Sequence, residues 1–370
     1  MAVAGGRQRR AGIGGRLILL AAAGFALIAG LDAALMLAGL PAPFTSDRLP
    51  QVHGVLLSLS FVGTLIALER AIALASRWAF IAPALLAAGG LLLVSDAPIV
   101  VGKAVQLAGA TALVLVYVPL WRRQRDNAVL VSALGAVLAI GASILWIGEL
   151  TVPLVLPWLA GFVVLTITGE RLELARIAMP PTAERALLAC AGGLMVGAAA
   201  SVLWPHVGVV MYGVMLLALV VVLVRHDVAR RTVRSRGLAR FMGTSMLGAY
   251  AWLAVAGLVW AVGGPALDGP RYDTVIHSVF LGFTFSMIMA HAPVILPAVT
   301  RRDLPYHPVL WVPLIGLHLS LLIRVAVGDA FGLSVSWRVG SMAGVVTLLL
   351  FVATAAGATL IAGVRRKRAL

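Results

Sequence analysis

Cysteine is almost missing from this chain: Cys190 stands alone among 370 residues. A single thiol excludes an intrachain disulfide, a Cys-x-x-Cys metal site and the Cys-x-x-Cys-His attachment of a covalently held haem. Charge is scarce as well, at 12% of residues, against about a quarter in an ordinary soluble domain. Acids are the rarer sign, with 14 Asp and Glu against 29 Lys and Arg and a net charge of +15. No Gly-x-x-x-x-Gly-Lys phosphate loop, His-Glu-x-x-His metal helix or Gly-x-Ser-x-Gly nucleophile elbow occurs.

Long apolar runs take their place. Hydrophobic residues make up 61% of the chain, in stretches of roughly 20 residues, the length that crosses a hydrocarbon core of about 30 Å. Breaks at Pro, Gly and charge predict about twelve helices. They fall near 17–40, 52–75, 78–95, 98–121, 127–148, 152–172, 185–204, 206–225, 239–263, 273–298, 308–328 and 335–364. The expected fold is all-α: a polytopic membrane protein, with residues 1–370 forming one integral membrane domain.

Arginine gathers between the apolar runs: Arg7, Arg9, Arg10 and Arg16, then Arg122, Arg123 and Arg125, Arg225 to Arg240, Arg301 and Arg302, and Arg365 to Arg368. This is the positive-inside pattern. It predicts both termini on the cytoplasmic side, with 1–16 an Arg-rich N-terminus, 225–240 a cytoplasmic loop and 365–370 a tail. The expected partner of these charges is the lipid bilayer and its anionic headgroups, not nucleic acid, which calls for a basic face. Leu17 to Leu40 is too long for a signal peptide and reads as the first span. The acids near Asp47, Asp96, Glu149, Asp268 to Asp273 and Asp329 fall in the opposite loops.

Two short matches link distant spans. Phe61-Val-x-x-x-Ile66-x-x-Glu69-Arg70 recurs as Phe162-Val-x-x-x-Ile167-x-x-Glu170-Arg171, an offset of 162 − 61 = 101 residues. His53-x-Val-x-Leu-x-x-x-Phe61 recurs as His277-x-Val-x-Leu-x-x-x-Phe285, an offset of 277 − 53 = 224. Helices two, six and ten are thereby related, which suggests three four-helix units around a pseudo-threefold axis. Neighbours on a helix do not face each other, so the Glu-Arg pairs are expected to bridge between helices. A proton-handling role for Glu69 or Glu170 is the alternative.

His53 and His277 head two spans that run the same way. Intramembrane imidazoles mark ligand sites or ion paths, and two at one depth can clamp a flat cofactor as axial ligands of a haem iron. With no Cys-x-x-Cys-His, the haem would be b-type rather than c-type. The plain alternative is that each histidine caps a helix or bonds a loop. His291 lies 291 − 277 = 14 residues beyond His277, about 21 Å deeper and about 40° off the same α-helical face. It therefore belongs to a second site or to none. Met287 with His291 would suit copper(I) or a second haem, unless His291 bonds a carbonyl freed by Pro293. His318, midway along helix eleven, is a further metal-ligand candidate. Arg324 is placed to pair with a haem propionate or to snorkel to the interface.

Twelve helices with haem-ligand histidines on the second and tenth resemble the plan of subunit I of the haem-copper oxidases. The head of helix two and the run His277-Ser-Val-Phe-Leu-Gly-Phe-Thr-Phe-Ser-Met-Ile-Met-Ala-His291 resemble more specifically the NnrS family, bacterial haem- and copper-containing membrane proteins. That resemblance implies an inner-membrane location and a role in nitric oxide or respiratory stress. It also implies His53, His277 and His291 as ligands, and a small gas or a redox protein as partner. Helix six holds no histidine between Val152 and Glu170, whereas an oxygen or nitric oxide reductase needs several imidazoles on its second metal. A haem-binding or electron-transfer protein is favoured over a full reductase, and whether the chain turns over a substrate stays open. A transporter, or an assembly factor for haem, metal or a small solute, stands as the alternative; Pro293 and Pro297 could break helix ten as in many transporters.

Overall fold

The structure, a computed structural model, describes residues 2–174, 179–302 and 304–368, with side chains in those ranges from residue 14 to residue 359. Among the described residues, eleven helices are long and apolar enough to cross a bilayer, and a shorter apolar helix, Trp78–Val94, joins them. In chain order they are α1 Ala2–Leu37, α2 Arg48–Leu74, α3 Trp78–Val94, α4 Ile99–Gln124, α5 Asn127–Ile147 and α6 Val152–Leu174. The second half comprises α7 Pro181–Leu203, α8 Pro205–His226, α9 Gly237–Gly263, α10 Gly269–Thr300, α11 Pro308–Asp329 and α12 Ser334–Arg368. No strand occurs among the described residues. The protein is an all-α polytopic membrane protein.

The ends depart from the expected boundaries. The α1 backbone is already helical at Ala2, through the Arg-rich N-terminus expected to precede the first span. At the other end α12 runs to Arg368, into the expected tail, and residues 369–370 lie outside the described residues. Local chemistry fixes other boundaries. Asp126 caps α5 by accepting the Ala128 N–H at 3.0 Å, and Pro181 and Pro205 open α7 and α8 at the first position, where proline has no hydrogen bond to lose.

Burial sorts the twelve helices into an inner and an outer set. In the most apolar 18-residue stretch, 78% of residues are buried in α2, 78% in α6 and 67% in α10, against 39–56% in the other long spans. These three central helices are the ones joined by the sequence repeat. The outer helices turn large apolar side chains outward, among them Ile18, Leu203, Val262 and Phe331, all more than two-thirds exposed. Such an apolar exterior is stable against hydrocarbon and not against water.

Three stretches leave the α-helical pattern for the wider π-helix: Leu56–Gly63 in α2, Ser278–Phe285 in α10 and Leu322–Asp329 in α11. The Thr284 hydroxyl donates to the Val279 carbonyl at 2.9 Å, five residues back, as π winding brings about. The α-helical projection from His277 to His291 therefore does not hold, because eight π-helical residues intervene. π turns gather at functional sites, and these three surround one cavity.

Close contact between α11 and α12 depends on Gly340. A Cβ there would lie 2.6 Å from the Arg324 backbone nitrogen. Gly340→Ala is expected to destabilise by about 1–3 kcal/mol through overpacking, read as a lower thermal midpoint in detergent; an unchanged midpoint would mean the two helices can part freely.

Candidate functional site

A cavity of about 490 Å³ lies at the His53 end of the central helices. His53, His277 and Arg324 all line it, with Phe280, Phe285 and Trp337 among its apolar walls. The structure thus brings together three residues that are distant in sequence.

The hydrogen bonds of the two imidazoles decide what they can do. His53 Nδ1 donates to the Gly30 carbonyl of α1 at 2.8 Å. His277 Nδ1 donates to the Asp273 carbonyl, one turn earlier in α10, at 2.8 Å. A carbonyl oxygen can only accept, so both rings carry their proton on Nδ1 and keep the Nε2 lone pair free for a ligand. Anchoring of this kind orients metal-binding histidines generally. At Gly30 the two helices meet closely: a Cβ there would come within 2.6 Å of the Leu57 side chain, which would have to move aside.

Asp273 does two tasks at once. Its carbonyl holds His277, and its carboxylate takes Arg324 Nε and Nη2, each at 2.7 Å. Arg324 Nη1 donates to the Ser341 hydroxyl at 2.8 Å, and the guanidinium lies 4.7 Å from the centre of the Trp337 ring. Arg324 is buried, not snorkelling, and its carboxylate partner is a residue of the chain. Three of its five N–H groups are used in these bonds.

The second cavity, about 500 Å³, lies further along the same helices. Met287 and His291 line it, together with Glu69 and Glu170. His291 Nδ1 donates to the Met287 carbonyl at 2.7 Å, and its Nε2 accepts from Arg171 Nη1 at 3.2 Å. That carbonyl is not the one Pro293 frees, which belongs to Met289. With both nitrogens engaged and a guanidinium at the lone pair, His291 is set to bind Arg171 rather than a metal. His318 lines neither cavity; its Nδ1 accepts from Trp252 Nε1 at 3.0 Å, which ties α11 to α9. Phe61 and Phe285, equivalent positions in the repeat, stack with centroids 5.6 Å apart. Phe285 lines both cavities.

The glutamate–arginine pairs separate. Arg70 Nη2 bonds its own neighbour Glu69 at 2.6 Å, in addition to the expected bridge between helices. It also reaches Glu170 at 3.7 Å and Glu173 at 3.3 Å on α6. Arg171 turns away to Asp227, with Nε to Oδ2 at 2.9 Å and Nη2 to Oδ1 at 2.8 Å. The Tyr250 hydroxyl donates to Asp227 Oδ2 at 2.6 Å, and the Ala229 N–H to Oδ1 at 2.8 Å. Neither Asp227 nor Tyr250 stood out in the sequence.

The family model described as "Domain of unknown function (DUF8744)" matches residues 16–360. The chain belongs to the DUF8744 family. No curated protein and no solved structure matches it.

Burial acts to raise the Asp227 carboxyl, but the Arg171 bonds and charge, the Tyr250 hydroxyl and the Ala229 N–H together hold it below the ordinary aspartate value. A depressed folded-state pKa stabilises fully above the unfolded value, about 3.9, and that stabilisation is lost as pH falls through the folded value. Acid unfolding of Asp227→Asn is therefore expected to show a shallower loss below about pH 4 than the wild type. Asp227→Ala, which leaves Arg171 buried without its carboxylate, should cost about 3–5 kcal/mol. A wild-type denaturation midpoint in Asp227→Ala would remove this pair from the supports of the fold.

Proposed function

We propose that the chain is a haem-binding, electron-transferring membrane protein in which His53 and His277 would hold the haem iron. The observation that carries this is the anchoring of both Nδ1–H groups to carbonyls, which makes Nε2 the ligand nitrogen of two imidazoles that line one cavity. A bare transition-metal ion takes about four to six ligands. A porphyrin brings four nitrogens of its own and asks the protein for two. Among the described residues no three His, Cys, Asp or Glu side chains gather as a chelating group, so a two-imidazole set suits the porphyrin better. The cavity volume lies within the ordinary range for ligand pockets, about 300–1,000 Å³.

The bound group would supply one-electron transfer at its iron. The chain supplies the rest. Gly30 and Asp273 fix a proton on Nδ1 of each imidazole; Phe280, Phe285 and Trp337 line the cavity with apolar surface. Arg324 has two N–H groups left beyond the three bonds described, donors of the kind that a carboxylate such as a propionate would take. Cys190 cannot build a covalent attachment, which favours b-type haem. The likeness to the NnrS family supports the physiological part of the proposal, a bacterial inner-membrane role in nitric oxide or respiratory stress, with a gas or a redox protein as partner. The arginine distribution supports cytoplasmic termini, for which a fluorescent reporter at the C-terminus that matures only in the cytoplasm should be bright.

The optical spectrum tests the ligand assignment. The purified protein is expected to show a Soret band that survives dialysis, and His53→Ala and His277→Ala should each abolish or shift it. His318→Ala, bonded to Trp252 outside both cavities, should leave it in place. A wild-type spectrum in both of the first two variants refutes the ligand pair.

A further inference from the structure

The second cavity has a distinct occupant chemistry. It is framed by α1, α2, α10 and α12, and Gly24, Ile28, Leu349 and Val352 contribute to its wall. Ile28 is 53% exposed, Leu349 45% and Val352 42%, so the wall is continuous with the apolar exterior of the bundle. In a bilayer that exterior meets acyl chains, and a molecule reaching the cavity from that side arrives dissolved in lipid.

The opposite end is acidic. Glu69 and Glu170 line the cavity, and with Glu173 they share the single guanidinium of Arg70. Three carboxyl groups around one guanidinium leave acceptor oxygens in excess of donors. The neighbouring His291 has both nitrogens engaged and offers neither a donor nor a lone pair. Arg302 also lines the cavity but is exposed, where water and salt screen it. An anionic head would meet further acceptors there, whereas a head that donates hydrogen bonds to carboxylates is matched.

We propose that this cavity binds a membrane-soluble phenol or alcohol, its hydroxyl toward Glu69 and Glu170 and its apolar tail along Gly24 toward the lipid. Reduced quinones belong to this class, and Phe285 separates the cavity from the His53–His277 cavity. Binding as stated does not require haem.

Gly24 gives a clean obstruction, because a Cβ built there meets nothing within 4 Å and a larger side chain enters open space. The probe is a diazirine-bearing dodecylphenol, photolysed with the protein in lipid nanodiscs and mapped by mass spectrometry. Labels are expected on α1, α10 and α12 around Gly24, suppressed by excess 4-dodecylphenol and not by dodecanoate. Gly24→Phe should reduce this labelling by about tenfold, the equivalent of 1.4 kcal/mol, while Gly24→Ala, which keeps the volume, should hold it. Wild-type elution and thermal midpoint in Gly24→Phe show that the loss is not unfolding. Equal suppression by dodecanoate overturns the head-group assignment; labelling spread over lipid-facing residues and indifferent to Gly24→Phe overturns the site. The Soret band of the same samples reports on the haem reading separately, so either idea can fail without the other.

Discussion

A carbonyl oxygen has lone pairs and no proton, and the rest of the His53–His277 site follows from that. Each ring has two nitrogens and one proton when neutral. By placing the Gly30 and Asp273 carbonyls against Nδ1, the fold determines which nitrogen remains basic. The two anchors are of different kinds. One ties α2 to α1 across a glycine contact; the other lies within α10 and belongs to a residue whose carboxylate is already locked to Arg324. The aim of His277 is thus linked through Asp273 and Arg324 to Ser341 on α12.

The buried guanidiniums set the cost of this arrangement. Charges away from water are tolerated when geometry and extra hydrogen bonds offset their desolvation. Arg324 meets that condition with a two-pronged carboxylate, a hydroxyl and an indole face; Arg171 with a two-pronged carboxylate and an imidazole. Arg324 joins the consecutive helices α10, α11 and α12, and Arg171 joins α6 to α10 and to the end of α8. One lies beside each cavity, so the cavities are bounded by the most firmly tied parts of the bundle.

Much of the architecture was legible because hydrocarbon thickness fixes the length of an apolar run; of the twelve runs expected, eleven proved membrane-length among the described residues and one, Trp78–Val94, shorter. The repeat picked out α2, α6 and α10, and these proved the most buried spans. The paired histidines were legible because imidazole is rare in a membrane. Other features were hidden for physical reasons. Asp273 and Asp227 sit at helix boundaries and read as loop acids; their arginine partners lie 51 and 56 residues away on other helices, and no local pattern encodes such a pairing. Winding of the i→i+5 type leaves no periodicity in a sequence that is apolar all round. The Phe61–Phe285 stack was half visible, since both rings lay inside the matched motif, but equivalence in a repeat does not by itself imply contact.

Phe285 is a party wall. Its ring faces one compartment with His53 and His277 and another with Glu69 and His291, and it is stacked on Phe61. Molecules on its two sides would press on the same ring, so whatever one does to the grip on the other is returned by the same factor. A shared partition makes two rooms one thermodynamic system, even when nothing passes between them.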